Sequence, residues 1–283
     1  MRQTEIIKLK LKANSIREKI LTMVTKAKSG HIASAFSIVE TLIILYYKIL
    51  NLDLNNPKWD ERDRFILSKG HGCVALYAVL AEKGFFPVET LFTFCKPGSI
   101  LGGHPEMQKI PGVEASTGSL GHGLSIAVGI ALAGKYDKKK YRTFCLIGDG
   151  ECNEGSIWEA AMFATHKKLD NLVVIVDYNK LQSSGRVEEV LSLEPFGKKW
   201  EAFGWKVKEI DGHNMQQLFH ALNKIPLKKR QPTLIISHTV KGKGVSFIEN
   251  VVSWHTMIPN DDEFNLAKEE LKNERLSLLN NIK

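Results

Sequence analysis

Long hydrophobic runs are missing from this chain. The most apolar stretch, residues 38–50, is broken by Glu40 and Lys48, so nothing approaches the ~20 apolar residues of a spanning helix. The first residues hold no signal-peptide core or cleavage pattern. Lys8, Lys10, Lys12 and Arg17 stand there among apolar side chains, which reads as a helix. Cysteine is scarce: Cys73, Cys95, Cys145 and Cys152 show no paired metal spacing. Two of them fall inside predicted core elements, which points to reduced thiols and a cytoplasmic protein. Internal repeats, low-complexity tracts and Gly/Ser linkers are also lacking.

What remains is ordinary soluble composition, 43% hydrophobic and 25% charged over 283 residues. That is enough to bury a core as one large α/β domain over residues 1–283, with a helical N-terminal segment. The formal charge of +8 is dispersed or held in short runs, Lys138-Lys139-Lys140 and Lys228-Lys229-Arg230. Such runs read as solvated loops rather than a nucleic-acid stripe. A mild positive field suits anionic, phosphorylated substrates.

The pattern predicts two helices in the first fifty or so residues, around a loop at Lys28-Ser29-Gly30-His31. Arg64-Phe65-Ile66-Leu67 reads as a strand, and Ser68-Lys69-Gly70-His71-Gly72 then opens a helix through Leu80. Residues 94–119 are loop-rich, with Pro97, Pro105 and Pro111, and loops this long are usually functional. Residues 120–135 read as a helix of small residues, permitting close approach to a ligand or to another helix. Strands are expected at Trp205-Lys206-Val207 and Thr233-Leu234-Ile235-Ile236-Ser237. Helices are expected over 195–203, 215–223 and from 263 to the end. The fold class is α/β, a parallel sheet flanked by helices.

The strongest signal lies between Asp149 and Asn179. The apolar run Phe144-Cys145-Leu146-Ile147 leads into Gly148-Asp149-Gly150, a helical stretch follows Gly155, and Leu172-Val173-Val174-Ile175-Val176 ends at Asp177-Tyr178-Asn179. A right-handed βαβ crossover brings the carboxyl ends of both strands to one sheet edge. Carboxylate, amide carbonyl and backbone carbonyl can meet there as a small, hard site for Mg²⁺ and phosphate oxygens. The arrangement resembles the thiamine diphosphate (ThDP) motif. That resemblance makes Asp149 and Asn179 side-chain ligands of the metal and Leu181 a main-chain ligand, and Gly150 lets the backbone approach the diphosphate.

His31, His71 and His104 sit in loops beside Gly or Pro, and His255 near the end of the pattern. Imidazoles gathered on a sugar-like substrate could bond its hydroxyls and shuttle protons near neutral pH. Ser29-Gly30-His31, Lys69-Gly70-His71-Gly72, Gly102-Gly103-His104-Pro105-Glu106, Thr117-Gly118-Ser119-Leu120-Gly121-His122-Gly123, Lys241-Gly242-Lys243-Gly244 and Ser253-Trp254-His255 together resemble transketolase, in that family's order. The resemblance implies the ThDP-binding fold, with Mg²⁺ (or Ca²⁺ or Mn²⁺) as the metal. It implies that His71 touches the diphosphate and that His31, His104 and His255 are catalytic, lining the substrate channel. It implies that Gly118 and Leu120 lie against the middle of the cofactor. Glu154 is implied to join a network coupling two sites across a dimer. His122 stands where the family often has Gln, and Thr256 where it usually has Gly.

By the same resemblance the chain corresponds to the first of three transketolase domains and lacks the pyrimidine-domain glutamate that activates ThDP. The expectation is one subunit of a split enzyme, in an α₂β₂ assembly with a separate C-terminal, pyrimidine-binding subunit. The reaction implied is transfer of a two-carbon ketol unit from a ketose phosphate to an aldose phosphate, through a dihydroxyethyl unit on ThDP, as in the pentose phosphate pathway. Three other ThDP readings stay open: a transketolase of specialised sugars, a deoxyxylulose-phosphate-synthase-like enzyme and a 2-oxo acid dehydrogenase-like enzyme. So does a non-catalytic scaffold or regulator.

Overall fold

The computed structural model describes residues 1–281. Five strands, β1 (Arg64–Leu67), β2 (Thr143–Gly148), β3 (Leu172–Tyr178), β4 (Lys206–Asp211) and β5 (Thr233–His238), form one sheet in the order β1-β2-β3-β5-β4. Every pairing is parallel, so each connection must cross a face of the sheet, and helices cover both faces.

Side-chain alternation assigns the two layers. Phe65, Leu67, Phe144, Leu146, Val173, Ile175 and Ile235 point to one core. There they meet α1 (Gln3–Ala27), α3 (Val39–Ile44), α4 (Cys73–Lys83) and α9 (Met215–Leu222). Their neighbours Ile66, Cys145, Ile147, Val174, Val176, Leu234 and Ile236 point to the other. That core is closed by α5 (His122–Tyr136), α6 (Gly155–His166) and α8 (Phe196–Ala202). Each fully buried aliphatic side chain contributes roughly 1.5–3 kcal/mol. Two short or terminal helices complete the chain: α7 (Val187–Leu191), and α10 (Asp261–Asn280), which lies along α1. An Asn260/Glu263 capping box opens α10. The expected continuation of α10 over 282–283 lies outside the described residues.

The second expected helix is not continuous. It splits into α2 (Ile32–Phe36), α3 and a π-helical turn, Leu45–Ile49. The break has a cause: the Ser37 hydroxyl donates to the Ser34 carbonyl at 3.1 Å and to Asp177 at 2.7 Å, competing with the helix ladder. The break leaves the Ser34 and Phe36 carbonyls to accept from Lys69 at 3.2 Å and Arg17 at 3.1 Å. Edge strand β4 runs on to Asp211, beyond the expected end at Val207; an edge strand accommodates the charges of Lys208 and Glu209 that end the apolar pattern there. The small residues of α5 permit the expected close approach to another helix: α5 packs along α6, and a Cβ on Gly121 at its start would stand 2.5 Å from Ser156 Oγ. A Cβ on Gly123 would stand 2.3 Å from Ser68 Oγ, so α5 is pressed onto the exit of β1.

Residues 94–121 contain no regular helix or strand. The loop is tied down by side chains of its neighbours: Tyr77 donates to the Gly102 carbonyl at 3.0 Å and Cys73 to that of Gly103 at 3.1 Å. The loop's own Thr117 donates to the Leu67 carbonyl at 2.7 Å. No described helix is long and apolar enough to cross a membrane. Cys73, Cys145 and Cys152 are buried free thiols.

Candidate active site

The carboxyl ends of β1, β2 and β3 open onto one cleft of ≈ 210 Å³, lined among others by His31, Lys69, His71, Gly118, Leu120, Asp149, Gly150, Asn179, Leu181, Lys241 and His255. Larger cavities of ≈ 310 and ≈ 550 Å³ lie elsewhere, but this one holds the βαβ turn together with three imidazoles. Elements far apart in sequence meet here because the carboxyl edge of a parallel sheet gathers its loops.

The acidic end is built by two strand exits. Asp149 follows β2, and its carboxylate accepts the amide of Gly150 at 2.7 Å and that of Lys180. Burial, and next to it the charge of Asp177, raise its pKa to about 7. Asn179 follows β3; its carbonyl accepts the Leu181 amide at 3.0 Å and its amide donates to Asp177 at 2.9 Å. Asp149, Asn179 and the Leu181 segment thus face one cleft, as expected from their spacing. No three His, Cys, Asp or Glu side chains among the described residues converge as a metal site. The donor set here is one carboxylate, one amide and one carbonyl, a set completed by phosphate oxygens. A divalent cation fits: it would neutralise a buried carboxylate that burial drives toward protonation.

The basic end is not one that the sequence pattern predicts. Lys69, only 2% exposed, pairs with Asp177, also 2% exposed. Burial alone would raise the Asp177 carboxyl, but Lys69 and the Ser37 and Thr239 hydroxyls hold it below its ordinary value. Lys241, 1% exposed, donates to the Leu181 carbonyl at 3.2 Å and stands 2.7 Å from His255 Nδ1. Burial, with Lys69 second, lowers it to about 8. Glu151 accepts from Ser68, from the Gly121 amide at 2.9 Å and from the Gly148 amide at 3.0 Å, clamping three loops. Burial raises its pKa above the ordinary value. Lys69 and Lys241 stand in glycine-bearing motifs, Lys69-Gly70-His71-Gly72 and Lys241-Gly242-Lys243-Gly244, and Asp177 directly follows an apolar run, but nothing in those patterns marks the side chains as buried in one cleft.

Three of the four expected histidines converge. The ring centroids of His31, His71 and His255 lie 5.3–5.4 Å apart pairwise. Burial lowers all three: His31, with the charge of His104 next and then Lys69 and Lys241; His71 well below its ordinary value, with Lys69 next; and His255 to about 3, with Lys241 next. A neutral imidazole offers one donor and one acceptor, and buried His31 Nδ1 has no partner among the described residues, which leaves it for a ligand. His104 is placed differently. It is exposed, on the loop that overlies Gly118, where a Cβ would meet its ring at 3.0 Å. Glu154 lies outside the cleft, exposed at the start of α6 with its stem against Gly121. Glu151, three residues earlier, lines the cleft together with Asp149. His122 caps nothing in the cleft; its Nδ1 lies 3.2 Å from the Leu120 carbonyl.

A parallel sheet with a Gly-Asp-Gly exit, an Asn one strand over and buried lysines and imidazoles between them defines a ThDP-dependent class of protein. Residues 9–277 match the model of the "Transketolase, thiamine diphosphate binding domain" family. The chain belongs to that family. It is 46% identical over 277 residues to an apulose-4-phosphate transketolase subunit of Phocaeicola vulgatus, covering 97% of this chain and 98% of that one. It is 45% identical over 268 residues to the 6-deoxy-6-sulfo-D-fructose transketolase subunit SqwG of a Clostridium species, covering 95% and 98%. Human transketolase is 42% identical over 254 residues, which cover 89% of this chain and 40% of that protein. The crystal structure of Campylobacter jejuni transketolase superposes with a TM-score of 0.88 at 30% identity, covering 98% of this chain and 46% of that one.

Proposed function

We propose that this chain is the diphosphate-binding subunit of a split transketolase. With a separate pyrimidine-binding subunit, in an α₂β₂ assembly, it moves a two-carbon ketol unit from a ketose phosphate to an aldose phosphate. One observation carries the reading: the cleft joins a metal–diphosphate end, Asp149, Asn179 and Leu181, to neutral His31, His71 and His255. Relatives of the same length are named as single subunits of a transketolase, which supports a partner. The buried free thiols fit a cytoplasmic location.

Bound ThDP supplies the nucleophilic carbon and the electron sink; protein supplies orientation and electrostatics. Asp149, Asn179 and the Leu181 carbonyl would hold Mg²⁺, or Ca²⁺ or Mn²⁺, with the diphosphate, and Gly150, without a side chain, would let the diphosphate approach the backbone. His71 would donate to the diphosphate, and Gly118 and Leu120 would lie against the middle of the cofactor. His104 bonds the donor sugar's first hydroxyls, and His31 and His255 move protons as neutral acid–base partners. Glu154, exposed beside Gly121, contributes to a network between two copies.

A second reading keeps the chemistry and changes the sugar. It is favoured by relatives named for apulose 4-phosphate and for 6-deoxy-6-sulfo-D-fructose. Co-purification names the partner. A coupled assay of the pair with xylulose 5-phosphate and ribose 5-phosphate then separates the two readings. Absence of ThDP binding to the complex in the presence of Mg²⁺, by calorimetry, defeats both.

A further inference from the structure

A buried polar chain runs from α1 to the cleft through a histidine that touches nothing in it. His213 stands in the Asp211-Gly212-His213 turn between β4 and α9. Its Nε2 accepts the Val240 amide at 2.8 Å, and its Nδ1 lies 3.0 Å from Glu40 Oε2. An imidazole nitrogen that accepts carries no proton, so Nδ1 is the donor to Glu40. Glu40 is gripped in turn by Arg17, at 2.7 and 2.8 Å, and Arg17 also donates to the Phe36 carbonyl.

Val240 is the residue before Lys241. The turn that follows β5 is tied on either side of Val240: Thr239 donates to the Tyr178 carbonyl at 3.3 Å and, through its hydroxyl, to Asp177, the Gly242 amide reaches the Ala33 carbonyl at 2.9 Å, and the Asn250 amide reaches the Lys241 carbonyl at 2.9 Å; the Val240 amide itself is held by His213. Gly212 meets the same segment from the other side, its amide donating to the His238 carbonyl at 2.8 Å. We propose that His213 is a positioning residue. Held in one tautomer by Glu40 and Arg17, it fixes the exit of β5 so that Lys241 enters the cleft between the Leu181 carbonyl and His255. Lys69 reaches the same cleft through Asp177 and the Ser34 carbonyl with no direct bond to His213 or Val240, and Asp177 keeps Ser37 and Lys69 as partners besides Thr239, so Lys69 serves as an internal reference.

The test is competitive amine labelling of the full chain with trace acetic anhydride, read by peptide mass spectrometry. In the native chain Lys241 and Lys69 are protected relative to Lys243, whose side chain is 39% exposed. In His213→Leu, labelling of Lys241 rises about tenfold, as loss of one buried hydrogen bond permits, while Lys69 stays protected. His213→Gln, which can still accept from Val240 and donate to Glu40, brings Lys241 back to within about threefold of the native chain. Continued protection of Lys241 in His213→Leu overturns the proposal, as does parallel exposure of Lys69. Should His213→Leu not fold, the ¹⁵N-imidazole spectrum of the native chain decides: a proton on Nε2 of His213 overturns it, and one on Nδ1 upholds it. The importance of Lys241 rests on the cleft being the cofactor site. The labelling is read without cofactor or partner, so failure of that reading and failure of this one remain separate results.

Discussion

The amide of Asp149 donates to the main-chain carbonyl of Asp177 at 3.3 Å, so the two aspartates stand side by side where β2 and β3 end. Their carboxylates are treated in opposite ways. Asp177 has Lys69 and hydroxyl donors; Asp149 has backbone amides and is raised to about 7. The pair separates a structural anchor from the carboxylate that we propose as the metal ligand.

Asp149→Ala removes the only cleft-facing carboxylate of the proposed metal set. The expected outcome is a loss of about 100-fold or more in Mg²⁺-dependent ThDP affinity, with the fold kept by circular dichroism. Calorimetry on the assembled complex checks it, and unchanged affinity removes Asp149 from the metal site.

His104→Ala acts elsewhere, because His104 belongs to the loop over Gly118 and not to the cleft wall. ThDP affinity should hold while kcat/KM for the ketose donor falls about 100-fold. Steady-state kinetics with a ketose phosphate measure it; normal turnover refutes the donor role.

Glu40 gives the stability a pH dependence. Burial alone would raise its carboxyl, but Arg17 and His213 bring it from 4.5 to about 2. A depressed folded-state pKa stabilises in full above the unfolded value and is lost as pH falls through the folded one. Glu40→Gln should therefore cost roughly 3 kcal/mol near neutral pH, a gap that narrows by about half near pH 3. Urea unfolding at both pH values reads the difference; an equal gap at each would contradict the assignment.

Gly123→Ala drives a methyl into Ser68, 2.3 Å from its Oγ and 2.7 Å from its Cα. Overpacking of this kind costs about 1–3 kcal/mol. Ser68 also holds Glu151, so the Gly121 turn should loosen with it. Hydrogen exchange at the Gly121 amide, faster in the variant, is the specific readout.

Much of this is legible in the chain. The βαβ turn announces itself because metal–phosphate chemistry needs small and acidic residues at a strand exit, and Asp149, Asn179 and Leu181 stand where the spacing puts them. His255 rests on a weaker pattern and sits 5.4 Å from His31 and His71. Asp177, Lys69, Lys241 and Glu151 are not predicted as site residues. Each depends on at least one partner 30 to 140 residues away, as Asp177 does on Ser37 and Glu151 on Gly121, and local pattern carries no such distance. The break at Ser37 is hidden for the same reason: a long apolar face predicts one helix until a buried carboxylate draws the hydroxyl aside.

The irregular segment 94–121 hangs from the scaffold by a few side-chain bonds from Tyr77, Cys73 and Thr117. It carries His104 midway and, near its end, Gly118 and Leu120 of the cleft wall, with the His104 ring against Gly118. One ribbon therefore serves both His104 and the cleft wall, and a sequence redrafted around His104 is felt in the cleft through Gly118.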